Sequence, residues 1–133
     1  MLKSIHHAAI ICSNYEKSKH FYTSILGLEI VAENYRKDRD SFKLDLKLPF
    51  GGQIELFSFL NAPERPSYPE AQGLRHLAFT VESVESVRNY LLSHKIAVEA
   101  IRIDEYTNRK FTFFHDPDGL PLELYEQDNN SII

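Results

Sequence analysis

A chain of 133 residues with 43% hydrophobic, 12% aromatic and 26% charged positions has the size and composition of one self-sufficient globular domain. Its formal net charge of −4 offers no basic face for nucleic acid, no apolar run approaches the roughly 20 residues of a membrane helix, and residues 1–7 lack a secretory pattern. A cytoplasmic protein with no nucleic-acid and no membrane partner is the expectation. The single cysteine, Cys12, excludes an internal disulfide and thiolate metal clusters, leaving His and carboxylate side chains as the available ligands.

Residues 5–12 form a short apolar run that predicts a buried strand. Ser13 and Asn14 supply N-cap chemistry, and Tyr15, Phe21, Tyr22, Ile25 and Leu26 make an apolar stripe that predicts a helix over 14–26 stopped by Gly27. Strands follow over 28–35, 41–48 and 53–59, the last two separated by the Pro49-Phe50-Gly51-Gly52 turn. The segment 60–73 holds Pro63, Pro66, Pro69 and Gly73 and therefore reads as a connector. Beyond it, a strand is predicted over 74–81 and a helix from Glu82-Ser83 carrying Val84, Val87, Tyr90, Leu91 and Leu92. Strands over 98–106, 110–115 and 120–125 complete the pattern. The order βαβββ thus occurs twice. The predicted class is α+β, one domain over 1–133 with modules 1–60 and 73–128 and a connector 61–72.

The repeat extends to particular side chains. His7 and His76 lie 69 positions apart, and Glu55 and Glu123 lie 68 apart. His7-Ala8-Ala9-Ile10 matches His76-Leu77-Ala78-Phe79, and Gly51 through Phe57 matches Gly119 through Tyr125. Strand parity puts His7 with Ile5, Ala9 and Ile11, Glu55 with Gln53, Phe57 and Phe59, His76 with Leu74, Ala78 and Thr80, and Glu123 with Pro121 and Tyr125. The opposite parity, Ile54, Leu56, Leu77, Phe79, Leu122 and Leu124, is apolar core. Two ionised carboxylates on one partly aromatic face would each cost several kcal/mol unpaired, and a divalent cation removes that cost. Two imidazoles and two carboxylates suit Zn, Ni, Co, Mn or Fe, and an octahedral ion would keep two positions open for water or substrate. By parity His6 points away from His7. His20, His94 and His115 read as structural or surface residues, and Cys12 as an inert core thiol.

At His7, the Phe21-Tyr22 and Leu26-Gly27-Leu28 run, Glu55, His76 and the Asp116-Pro117-Asp118-Gly119 turn leading to Glu123, the sequence resembles the vicinal oxygen chelate superfamily. That superfamily includes glyoxalase I, fosfomycin and bleomycin resistance proteins, methylmalonyl-CoA epimerase and extradiol dioxygenases. The resemblance implies paired βαβββ modules whose mixed sheets form a cup around one metal, usually as a homodimer. It implies His7, Glu55, His76 and Glu123 as metal ligands. The four-ligand order is similar to glyoxalase I, whereas the resistance proteins and dioxygenases typically use three. A lyase or isomerase acting on a small α-hydroxycarbonyl or related vicinal-oxygen substrate is implied, with Glu123 and then Glu55 as the proton-moving base and the ion stabilising an enediolate. An Fe(II)-type dioxygenase and a non-catalytic, resistance-type binding module are the alternatives. Ile11 and Phe59 stand where glyoxalase I carries an Arg and an Asn for glutathione, so weak or absent glutathione use is expected.

Tyr35, Arg36, Arg39, Asp40, Lys43 and Asp45 in the first half, with Arg102, Asp104, Arg109 and Thr112 in the second, would suit an anionic small-molecule substrate. The alternation of Phe42, Leu44, Leu46 and Leu48 with Lys43, Asp45 and Lys47 equally describes a half-exposed strand.

Overall fold

The computed structural model describes residues 1–128, which form two compact units, Met1–Glu64 and a second beginning at Arg65. The first contains β1 (His7–Cys12), α1 (Tyr15–His20) continued by a π-helical turn (Phe21–Ile25), β2 (Glu29–Arg36), β3 (Ser41–Lys47) and β4 (Gln53–Ser58). The second contains β5 (Leu77–Val81), α2 (Val84–Ser93), β6 (Arg102–Ile103), β7 (Lys110–His115) and β8 (Pro121–Glu126). Each unit is a four-stranded mixed sheet, ordered β1-β4-β3-β2 and β5-β8-β7-β6. In each, the first strand runs parallel to the last and the remaining pairs are antiparallel. The twice-repeated βαβββ arrangement is the one expected from the sequence.

Local chemistry explains the element ends. The Asn14 side chain accepts the backbone N–H of Lys17 at 3.1 Å, and Ser83 does the same for Ser86 at 3.2 Å, so both helices start at side-chain N-caps. Glu16 in the first turn of α1 and Lys17, Lys19 and His20 in the last suit the helix dipole. The expected continuous helix over 14–26 is instead α-helix followed by a π turn. There the Thr23 hydroxyl donates to the Lys19 carbonyl at 2.6 Å and the Leu26 N–H reaches Phe21 O at 2.9 Å. A β-branched residue that bonds the preceding turn favours such an irregularity. Gly27, at φ 76°, then takes the left-handed conformation that ends the helix.

Two expectations are corrected in the second unit. The strand over 98–106 is reduced to Arg102–Ile103 and an isolated bridge between Val98 and Phe114. Here the Thr112 hydroxyl takes the carbonyl of Glu99, and residues 104–109 close a turn around Asp104, so ladder bonds are replaced by side-chain and turn bonds. The strand expected from Leu74 begins at Leu77, because the Arg65 guanidinium binds the carbonyls of Leu74 and Arg75 at 3.1 and 2.8 Å. On α2, Val84 and Leu91 are fully buried while Tyr90 and Leu92 are exposed, which narrows the apolar stripe.

Parity correctly places Ile54, Leu56, Leu122 and Leu124 in the cores, whereas Leu77 and Phe79, expected beside them, are only half-buried. Leu44, Leu46, Ile54 and Leu56 are buried in the first unit, and Leu122, Leu124, Phe114, Val84 and Leu91 in the second. The opposite face of each sheet is left for polar and aromatic side chains. Among the described residues no helix is long and apolar enough to cross a membrane.

Candidate metal centre

In the first unit His7 opens β1 and Glu55 lies mid-way along β4, the strand parallel to it, where Glu55 is in register with Ala9. Shared parity brings His7 Nε2 to 3.6 Å from Glu55 Oε1. The Glu55 side chain is only 12% exposed, so its charge sits at the floor of the open face. Two cross-strand neighbours modify it. Asp45 is directly opposite on β3, and Lys43 Nζ lies 2.7 Å from Asp45 and 3.8 Å from Glu55. His6, which parity alone turns away, has its Nδ1 2.9 Å from His7 Nδ1 and its ring edge-on to it. Sequence reasoning missed this partner because strand alternation begins only at His7.

The second unit repeats the pair with a different surrounding. His76 sits one residue before β5, and its Nε2 lies 3.0 Å from Oε1 of Glu123. Glu123 is the buried carboxylate of β8. The turn before that strand is built by Asp116, whose Oδ1 accepts the N–H groups of Asp118 and Leu120, both at 2.9 Å, an arrangement that sets the register of β8. Opposite Glu123 on β7 is Phe113, whose ring stands perpendicular to that of His76 with centroids 5.1 Å apart. Where Glu55 has Asp45 and Lys43 across the strand, Glu123 has an aromatic ring.

Each open face carries an arginine laid on two phenylalanines. Arg36 covers Phe57 and Phe59 at 4.9 and 5.6 Å, and Arg102 covers Phe111 and Phe113 at 5.0 and 5.5 Å. The Phe57–Phe59 seat follows from the parity of 53–59, whereas the Phe111–Phe113 seat, and the place on these rings of both arginines from the polar set, were not read from the sequence. Of the others in that set, Tyr35 and Asp40 bond each other, Thr112 is buried on backbone carbonyls, and Arg109 covers Tyr125 at 4.9 Å. Asp104 is held below its ordinary pKa by the Tyr106 N–H and then the Tyr125 hydroxyl. These interactions shape the sheet edges.

The donors fit a divalent ion half by half: in each unit an imidazole Nε2 and a carboxylate oxygen share one open face at chelating reach, with the carboxylate nearly buried. The structure brings His7 to Glu55 and His76 to Glu123, and among the described residues no three or more His, Cys, Asp or Glu are placed together to hold a metal ion.

Comparison with known proteins bears on what such faces are for. Residues 4–124 match the model of the glyoxalase/bleomycin resistance protein/dioxygenase superfamily. The chain belongs to that superfamily. An uncharacterized superfamily relative, YwkD of Bacillus subtilis, is 58% identical over 96% of this chain and 99% of its own. The crystal structure of a glyoxalase family protein from Enterococcus faecalis is 52% identical, with a TM-score of 0.87 over 93% of this chain and 98% of that one. More distant matches include Glyoxylase I 4 of Arabidopsis thaliana, 26% identical over 99% of this chain and 75% of that protein. The metallothiol transferase FosB of Staphylococcus haemolyticus is 28% identical over 94% and 84%. The superfamily therefore contains enzymes, and its members generally use a divalent metal.

Proposed function

We propose that this chain is a metal-dependent lyase or isomerase of the glyoxalase I type, moving a proton on a small α-hydroxycarbonyl or related vicinal-oxygen substrate. The observation that carries the reading is the repeated pairing of one histidine Nε2 with one nearly buried glutamate, at 3.6 Å for His7–Glu55 and 3.0 Å for His76–Glu123. In this reading the two units are one functional domain, 1–133, and His7, Glu55, His76 and Glu123 hold one ion, Zn, Ni, Co, Mn or Fe, within a chain or across a homodimer. When bound, such an ion supplies Lewis acidity, polarising adjacent substrate oxygens and stabilising the charge that develops as a neighbouring proton leaves.

The chain's own residues supply the rest. Glu123 is the proton carrier: it is buried beside Phe113, in surroundings that favour proton transfer over hydration. With Oε1 toward His76, its second oxygen remains for the substrate proton. Glu55 is the second candidate, its charge already partly countered by Lys43. Phe57 and Phe113 wall the open faces with apolar surface. Ile11 and Phe59 put no charge or amide where a glutathione chain would be gripped, which supports a substrate other than the glutathione hemithioacetal. Distant similarity to Glyoxylase I 4 supports the isomerase reading. Similarity to FosB supports the metal requirement.

Elemental analysis of wild type, Glu55→Ala and His76→Ala tests the coordination. Each variant should lose stoichiometric metal, and unchanged metal in both refutes the ligand set. A panel of α-hydroxycarbonyl compounds assayed with Ni, Zn, Co and Mn tests the reaction. Strong glutathione-dependent turnover refutes the substrate argument, oxygen uptake with Fe and a catechol moves the chain to the dioxygenases, and tight binding without turnover makes it a binding module.

A further inference from the structure

The second unit holds a cavity of about 310 Å³ between the connector and the ends of β6, β7 and β8. That volume is at the small end of the range for ligand pockets, roughly 300–1,000 Å³. His76 and Phe113 stand in its wall, so it opens on the half-site built around Glu123. Three arginines against two glutamates line it, and the arginines differ in availability. Arg65 is engaged with the Leu74 and Arg75 carbonyls and with Ser67, which fixes the connector. Arg75 stands out in solvent with Glu70 at 3.3 Å. Arg102 alone among the three lies on an aromatic seat, over Phe111 and Phe113, and pairs at 3.1 Å with Glu99 in an exposed ion pair.

A guanidinium stacked on rings is pre-oriented and weakly hydrated, and presents a planar fork that matches a carboxylate. An exposed ion pair such as Arg102–Glu99 is weak enough for a ligand anion to displace. Phe113 fixes the distance scale: Arg102 lies 5.5 Å from its ring centroid and the His76 ring, perpendicular to it, 5.1 Å. One ring therefore separates the cation from the proposed metal ligand.

We infer that this cavity is a carboxylate subsite in which Arg102 anchors the acid group of a small hydroxy or oxo acid, leaving its α-oxygen toward His76 and Glu123. The inference rests on the proposed function for which end of the molecule reacts. It makes Arg102 the residue that selects acids over neutral α-hydroxycarbonyl compounds.

Titration calorimetry with glycolate, lactate, their amides glycolamide and lactamide, and methyl phosphate tests this on the full chain, both as purified and after chelator treatment. The acids should bind about tenfold more tightly than the amides, a difference of about 1.4 kcal/mol. Arg102→Gln should reduce that preference to within about threefold, and Arg102→Lys should retain part of it, as expected for one charge-assisted contact. Equal binding of acid and amide, no binding of either, an unchanged preference in Arg102→Gln, or tighter binding of methyl phosphate than of either acid would overturn it. Metal content measured on the same samples separates the two readings. If Glu55→Ala and His76→Ala both keep their metal while the acid preference still depends on Arg102, the metal reading fails and the carboxylate subsite stands.

Discussion

The two open faces are copies in topology and opposites in chemistry. Glu55 and Glu123 occupy equivalent places on the last strand of each sheet, each beside a histidine at the start of the unit, yet the residue across the strand is Asp45 in one and Phe113 in the other. The first carboxylate shares Lys43 and a second acid, and its histidine is 3.6 Å away with 41% of its side chain exposed. The second has an aromatic neighbour and a histidine at 3.0 Å, 30% exposed. A duplicated scaffold has thus kept the candidate donors in both halves, each glutamate side chain 12% exposed, while giving only one of them an aromatic neighbour across the strand. Glu55 already has a lysine ammonium at 3.8 Å whereas Glu123 faces a ring, so the second half, whose carboxylate charge is less countered, should dominate both ion binding and proton transfer.

That asymmetry is broken most directly by removing one carboxylate at a time. Glu123→Gln should lower metal affinity by more than the 10–100-fold typical of losing a partner residue around a metal site, and should abolish turnover. Glu55→Gln should lower affinity less, because Lys43 and Asp45 already share its environment. Competition with a chelating dye gives both affinities. Equal losses in the two variants would show that the surroundings do not distinguish the half-sites.

A smaller effect should come from Lys43. Its ammonium lies 3.8 Å from Glu55, where it competes with a metal ion for the same carboxylate. A partly exposed pair of this kind is worth about 0.2–1 kcal/mol, so Lys43→Met should tighten metal binding by no more than about fivefold and flatten its salt dependence. Weakened binding in that variant would mean that Lys43 supports Glu55 instead of opposing the ion.

How much of this was legible beforehand follows from what strand parity encodes. The repeated His and Glu positions, the buried faces and the order of elements are all consequences of period-two alternation and turn residues, which are local. The surroundings of the two glutamates are cross-strand facts: that Asp45 faces Glu55 while Phe113 faces Glu123 depends on register, which no single strand specifies. The loss of the strand over 98–106 has the same origin, since its apolar pattern is real but Thr112 and Asp104 redirect the backbone bonds. His6 escaped because it precedes the first ladder bond, and the strand start before His76 was displaced by Arg65, ten residues away in sequence.

The smallest expected effect lies away from both candidate donor pairs and sharpens the contrast between the halves. On the helix side of the first sheet, Glu33 on β2 accepts from the Tyr15 hydroxyl and from Lys19 at 2.8 Å, tying α1 to the sheet edge. In the second unit α2 is joined to its sheet by other contacts, the Val84 N–H donating to Glu126 Oε1 at 3.1 Å and Glu85 lying 4.0 Å from Lys110 on β7. Lys19 and then Tyr15 hold the Glu33 carboxyl below its ordinary pKa, whereas burial and then Glu33 push the tyrosine hydroxyl up. A lowered carboxylate contributes stability that is fully present above its unfolded value, 4.5, and is lost as pH falls through the lower folded value. Glu33 is largely solvent-accessible, so screening keeps that contribution small. Acid should therefore loosen the first unit slightly before the second, and Glu33→Gln should remove the difference by giving up the same small contribution at neutral pH. Amide hydrogen exchange between pH 3 and 6, followed separately in α1 and α2, makes the measurement. Protection in α1 that falls with acid as steeply in Glu33→Gln as in wild type would assign the acid response to other carboxylates.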